Sequence, residues 1–395
     1  MEATFGRHNA LAIIRFLRGS GDWRCDSSTK TNLISPNPWP QKRWTPSLLK
    51  GIASRYPGFA ADGHVFIAVP DAAKRVRAKG MASTVYGHGI PERSFVMAEE
   101  GIAVSSPELL FVELAECMHP IEHVMLGLEL CGTFSRDPAD PYNGRISYGV
   151  APATNVSRIR KFIDEAKGIR GIERARVSAS FLSDNAWSPT EALIASLLRL
   201  PVDSLGYGLG PLKLNLRVMR SKDLPGSRSS RVPDILVDGT SIGINYDGLE
   251  HLDLMSIVQA TMDVAENPES PNPSNELQKT ILEVREKALD DIRRNRELAS
   301  GGYFAFPVVM EDLYAKGGLD AVVGQILDAI ENRDEGDMSV QRRHLAKRQL
   351  SDERYRMILS FLPGKHERNI EPARFIEGFK VSDDPGEVSS YFVSM

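Results

Sequence analysis

The stretch RVPDILVDGTSIGINYDGLEH, Arg231 to His251, decides how the second half of the chain is read. Two apolar runs, Ile235 to Val237 and Ile242 to Ile244, flank Asp238-Gly239, a dipeptide favoured in tight hairpin turns because its residues tolerate unusual backbone angles. Two antiparallel strands are therefore expected. Side chains alternate along a strand, so Asn245 and Asp247 share a face and Tyr246 takes the other. Asp234 opens the first strand, and the chain then runs through the turn at Gly239 back to Asn245. Acid, amide, acid and then His251 are thus brought toward one end of the hairpin.

On the N-terminal side, WSPTEALIASLLRLP (Trp187 to Pro201) predicts a helix. Ser188 caps it, Pro189 takes its first position, and Glu191 completes a capping box. GPLKLNLRVM (Gly210 to Met219) alternates and predicts a strand. On the C-terminal side, the Pro-, Asn- and Ser-rich DVAENPESPNPSNE predicts a loop. LQKTILEVREKALDDIRRNRELASGG (Leu277 to Gly302) predicts a long helix stopped by its two glycines. YFAFPVVM then predicts a strand and LDAVVGQILDAIENR a helix. A helix, three strands in a meander, a helical crossover to a fourth strand and a closing helix make a mixed sheet flanked by helices, an α/β (α+β) architecture.

A phosphodiesterase that uses Mg2+ or Mn2+ needs hard oxygen ligands converging on one or two ions, which polarise the phosphate and acidify the attacking water. Asp234 and Asp247 supply such oxygens from neighbouring strands, and Glu191 could add a third from the preceding helix. His251 is placed for proton transfer or a phosphate contact. Arg293, Arg294 and Arg296, close together on the long helix, are candidate DNA phosphate contacts. Each residue also has a plainer use: Glu191 as the capping partner, Asp234 and Asp247-Gly248 as turn residues, and the arginines as a solvated face paired with Asp290 and Glu297.

Helix acid, then Asp, then an acid-x-Lys-like element on the next strand resembles the PD-(D/E)XK nuclease superfamily. NYDGLEH (Asn245 to His251) is similar to the branch related to very-short-patch-repair endonucleases, whose members commonly read Glu-x-Asp-Gly-x-x-His there. They often follow with Asp-x-x-Arg-x-x-x-Leu-x-x-x-Gly on a helix, and this chain has Asp291, Arg294, Leu298 and Gly302 at that spacing. The resemblance spans residues 186 to 330. It implies a restriction-endonuclease-like fold and metal-dependent hydrolysis of DNA in genome defence or repair. The departure is Asn245, where the resembling proteins usually carry Glu. A missing unit charge beside a divalent ion is worth several kcal/mol even at an effective dielectric of about 20. Asp247, on the same face, is the acid that could take over. Two expectations result. In one, Glu191, Asp234 and Asp247 hold an ion, with Asn245 orienting it or the water. In the other, catalysis is lost and the same fold serves a DNA-binding antitoxin or regulator.

Upstream, RHNALAIIRFLRG predicts a helix with Leu11, Ile14 and Leu17 on one face and a stop at Gly19. HVFIAVP predicts a strand and RSFVMAEEGIAVSS a hairpin. SPELLFVELAECM predicts a helix capped by Ser106, and IEHVMLGLELCG and SRIRKFIDEAKG two more. HVFIAVP, the run GHGIPERSFVMAEEGIAVSSPELLFVELAECM and LELCGTFS are similar to AbiE-type antitoxin proteins, which implies DNA, a toxin or another protein as partner. The expected divisions are an antitoxin-like α+β module over 1–180, the restriction-endonuclease-like domain over 186–332, and a charged helical tail over 333–395 carrying the basic QRRHLAKRQLSDERYR.

The 395 residues are too many for one ordinary core. Apolar content of 42%, charged content of 25% and a net charge of -4 fit a soluble protein with no overall basic character, so any polyanion site must be a local patch. Cys25, Cys117 and Cys131 form no CxxC pair, which argues against structural zinc and a disulfide framework. No apolar run reaches the length of a membrane span, and arginines interrupt the N-terminal apolar patches, so the chain is expected to be cytoplasmic. The glycines of LGYGLGP fit neither the Rossmann nor the Walker pattern. His119, Glu122 and His123 invite a metal, but His119 precedes Pro120 at a helix boundary, which argues against one.

Overall fold

A computed structural model of the chain describes residues 3–23, 43–61, 63–87, 89–219, 230–231, 233–247, 261–262, 264, 271–333 and 336–364. They fall into two compact units, one within Met1–Gly208 and Met357–Ser394, the other within Leu209–Arg356.

The first unit is built on a five-stranded mixed sheet. Its strands are β1 (Ala3–Phe5), β2 (Val65–Val69), β3 (Met81–Val85), β4 (Phe95–Glu99) and β5 (Ile102–Ser105), in the order β3-β2-β1-β5-β4. β1 is central, antiparallel to β2 and parallel to β5. β4 and β5 form the expected hairpin, with an irregularity between Met97 and Glu99. Helix α1 (Arg7–Ser20) buries Leu11, Ile14 and Leu17 as its spacing predicts. It ends at Gly21 rather than Gly19: at φ 81° Gly21 turns left-handed, and its N–H closes on the Arg18 and Leu17 carbonyls.

Six more helices follow in this unit: α2 (Pro46–Arg55), α3 (Pro107–Leu114), α4 (Pro120–Cys131), α5 (Val156–Glu165), α6 (Ile172–Ala179) and α7 (Pro189–Arg199). A two-stranded ribbon, β6 (Phe134–Ser135) with β7 (Ser147–Tyr148), lies between α4 and α5 in sequence. The Ser106 Oγ accepts the Leu109 N–H at 3.2 Å and starts α3, every residue of which is buried. α4 packs on α7. Gly127 permits the close packing of α4, since a Cβ there would sit 2.5 Å from the Leu182 side chain.

The second unit holds the meander. β8 (Leu212–Leu214), β11 (Ile235–Val237) and β12 (Ile242–Asp247) pair antiparallel, and Gly239 takes the β11–β12 turn at φ 79°. A small ribbon, β9 (Val218–Met219) with β10 (Ser230–Arg231), interrupts the chain between β8 and β11. The long helix α8 (Pro271–Ser300) then leads to β13 (Phe304–Val309), which lies parallel to β12. The sheet order is β13-β12-β11-β8. The mixed α/β sheet read from the sequence is therefore present, with the predicted meander and helical crossover. Helices α9 (Met310–Tyr314), α10 (Gly318–Arg333), α11 (Ser339–Leu345) and α12 (Arg348–Phe361) complete the described chain.

Two expected divisions differ from the structure. The boundary falls after Gly208 rather than near residue 186, because α7 buries its apolar face within the first unit. The tail from residue 333 is helical over α11 and α12 but is not a division of its own. Two of its arginines are tied into the fold: Arg354 is buried and paired with Asp320, and Arg342 Nε lies 3.0 and 2.9 Å from the Glu331 carboxylate oxygens. Residues 365–395 lie outside the described set. Among the described residues, no helix is long and apolar enough to cross a membrane.

Candidate functional site

The hairpin places Asp234 opposite Asn245. Ile235 is in register with Ile244, so the next pair outward is the acid and the amide. Asp234 Oδ2 accepts the Tyr246 N–H at 2.7 Å, which fixes the carboxylate beside β12. The Asn215 N–H donates to the Asp234 carbonyl at 2.9 Å and ties the same residue to the end of β8. Asp234 is half-buried and Asn245 is wholly buried, at 0% exposure.

Such burial obliges Asn245 to find partners. Its Nδ2 donates to Asn295 Oδ1 on α8 at 3.0 Å, and its Oδ1 accepts the Asp234 N–H at a long 3.4 Å. Both ends of the amide are turned to neighbouring protein groups. Asn295 is the residue that the sequence reading missed. The signal was the helical spacing of Asp291, Asn295 and Leu298, which puts them on one face of α8, with Leu298 2% exposed.

The three arginines do not act as one patch. Arg293 and Arg296 are exposed, whereas Arg294 turns to the half-buried face and pairs with Asp291 at 3.4 Å, the two side chains 16% and 21% exposed. The Asp-x-x-Arg spacing thus builds an intrahelical ion pair.

Glu191 belongs to the first unit, while Asp234 and Asn245 belong to the second. Its carboxylate is 4% exposed, and its Oε2 accepts the Trp187 N–H at 3.2 Å, while the Ser188 Oγ accepts the Glu191 N–H at 3.1 Å. Ser188 thus caps as the Ser-Pro-Thr-Glu sequence encodes, while the Glu191 carboxylate reaches the N–H of Trp187, one residue before the cap. The backbone of Asp247 ends β12, but its side chain lies outside the described residues, and so does all of His251. Among the described residues no three of His, Cys, Asp and Glu gather as a metal-binding group. The described side chains at the hairpin offer one carboxylate and one amide already engaged, whereas a catalytic Mg2+ is usually held by one or two carboxylates together with waters and substrate phosphate oxygens.

In the first unit, burial pushes the pKa of His123 down to about 4. The ring stacks on Phe111 with centroids 4.0 Å apart, and its Nε2 lies 2.7 Å from the Phe111 carbonyl, so the neutral ring donates there. Glu122 accepts from the Tyr142 hydroxyl at 3.0 Å. His123 and Glu122 therefore serve packing. A buried charge cluster around Glu129 is structural as well. Glu129, 1% exposed, takes a bidentate contact from Arg15 at 2.8 and 2.7 Å and the Arg136 N–H at 3.1 Å. Burial alone would raise its pKa, but the facing Arg15 guanidinium holds it below the usual carboxylate value.

No family model, curated protein or solved structure matches the chain.

Proposed function

We propose that the chain is a DNA-directed protein of PD-(D/E)XK nuclease-like design, with a restriction-endonuclease-like second unit whose site has passed from catalysis to structure at Asn245. It binds DNA without cutting it, as an antitoxin or transcriptional regulator joined to an antitoxin-like first unit. The observation that carries this proposal is the engagement of Asn245. A catalytic ligand at this place would direct an anionic oxygen to an ion, whereas Asn245 is wholly buried and gives its amide to Asn295 and its carbonyl to the Asp234 N–H. The buried Glu191 carboxylate, engaged by the Trp187 N–H, points the same way.

The meander, the helical crossover and the Asp234–Asn245 pairing support the nuclease-like ancestry of the site. They also favour one second reading, an active Mg2+- or Mn2+-dependent DNA endonuclease. Asp234 stands beside β12, whose final residue is Asp247, so the two acids arise at one end of the sheet. In that reading the two acids of this sheet end would hold the ion. The two readings separate in one experiment: cleavage of plasmid and single-stranded DNA with magnesium or manganese by wild type, Asp234→Ala and Asn245→Glu. The proposal expects no cleavage by wild type. Cleavage by wild type that Asp234→Ala abolishes would establish the second reading.

A further inference from the structure

The chain carries a net charge of -4, so a surface for a polyanion has to be assembled locally. Residues 70–80, which join the parallel strands β2 and β3, assemble one. The sequence PDAAKRVRAKG supplies Lys74, Arg75, Arg77 and Lys79, all four exposed. From Ala72 to Pro91 there is no acidic residue. Lys74, Arg75 and Lys79 form no ion pair among the described residues. The one acid of the segment, Asp71, stands exposed at its start, where its Oδ1 accepts the Lys74 N–H at 3.0 Å and caps a single tight turn over Ala72–Lys74.

The loop is held in shape. Val76 is 7% exposed, and its N–H donates to the Ser83 Oγ of β3 at 3.0 Å. Arg75 and Arg77, on either side of this buried anchor, are therefore turned outward together. Gly80, at φ 76°, reverses the chain, and the Met81 N–H closes on the Ala78 carbonyl at 3.2 Å. The cations thus stand on a pinned crossover at the sheet edge, which lowers the conformational cost of engaging a partner.

We infer that this crossover loop is a contact surface for the phosphate backbone of duplex DNA. Four cations with no acid interleaved suit a row of phosphates, and such contacts are independent of base sequence. An anionic membrane fits less well, because the exposed positions of the loop offer only alanines besides charged residues, and the sole branched apolar side chain, Val76, is buried. The choice of DNA among polyanions rests on the nuclease-like reading of the second unit.

The test is fluorescence anisotropy of a labelled duplex in EDTA, at a series of salt concentrations, for the full-length wild type and the triple variant K74A/R75A/K79A. All three substituted residues of the triple variant are exposed, so far-UV circular dichroism should match wild type. Each phosphate contact contributes about 0.9 to the salt slope, so removing three should reduce it by about 2.7 and flatten the affinity loss between about 50 and 200 mM salt by ~40-fold. The weakening should be equal on unrelated duplexes. A triple variant that binds with the wild-type slope overturns the inference. So does a wild type with no salt-dependent duplex binding, or one that prefers phosphatidylserine vesicles. Cleavage is absent in EDTA whatever the state of the second site. Loss of binding in the triple variant therefore supports the loop even if the nuclease-like reading fails, and an unchanged triple variant sinks the loop alone.

Discussion

Asn245 is wholly buried and makes two side-chain hydrogen bonds, and removing its partner on α8 should expose how much the second unit depends on the pair. Asn295→Ala leaves the Asn245 Nδ2 as a buried donor with no acceptor, and an orphan of that kind costs about 1–3 kcal/mol. Asn245→Ala removes the donor itself but leaves a void and frees the Asp234 N–H. In the double variant the orphan no longer exists, so the combined loss should fall short of the sum by about 1 kcal/mol. The assay has to report on the second unit. All four tryptophans (Trp23, Trp39, Trp44 and Trp187) precede Gly208, so intrinsic fluorescence follows the first unit. Hydrogen exchange over residues 242–247 is the suitable probe, because the Tyr246 N–H is protected by Asp234 Oδ2. Single variants should speed exchange there and leave the fluorescence transition in place. Losses that add to within about 0.3 kcal/mol would refute the pair and with it the structural role of Asn245.

Three further outcomes follow from the same physics. Glu129→Gln keeps the shape but leaves Arg15 and Arg136 as buried cations without a countercharge. Breaking such a pair costs about 3–5 kcal/mol, seen as a lower urea midpoint in tryptophan fluorescence with the second unit unaffected. His123 titrates near 6.5 when unfolded and near 4 when buried in the fold, so between those values only the unfolded chain takes up the proton. The first unit should therefore be at full stability above pH 6.5 and lose up to about 3 kcal/mol as pH falls toward 4, a slope that His123→Phe should remove. Ser106→Ala deletes the cap that receives the Leu109 N–H at the start of a fully buried helix, which should cost about 1 kcal/mol in the same fluorescence assay.

What was legible in the sequence was mostly local. Asp238-Gly239 between two apolar runs marks a turn with no help from the rest of the chain, and the strand-strand-helix-strand order restricts the sheet to few topologies. Ser106-Pro107 and Ser188-Pro189 announce their helices for the same reason. What was not legible depended on distant partners. β1 has three residues, too few to show alternation, and owes its central place to pairing with β5 about a hundred residues later. The α7 pattern looks identical whichever unit it packs in, so the boundary at Gly208 left no mark. At the site, Arg293, Arg294 and Arg296 are adjacent in sequence, but a helix turns Arg294 away from the other two. Arg354 reads as one more surface cation until Asp320 is seen beside it. Asn295 carries no motif at all, and only the buried amide facing it gives it a role.

The central claim is that Asn245 has turned a nuclease-like site to structural use. Incubation of plasmid DNA with magnesium or manganese tests it most directly, using wild type, Asp234→Ala and Asn245→Glu side by side. Intact DNA is expected with wild type and with Asp234→Ala, while the carboxylate introduced by Asn245→Glu is the one change expected to allow cutting. Cleavage by wild type that disappears in Asp234→Ala would instead show a working site in spite of the asparagine.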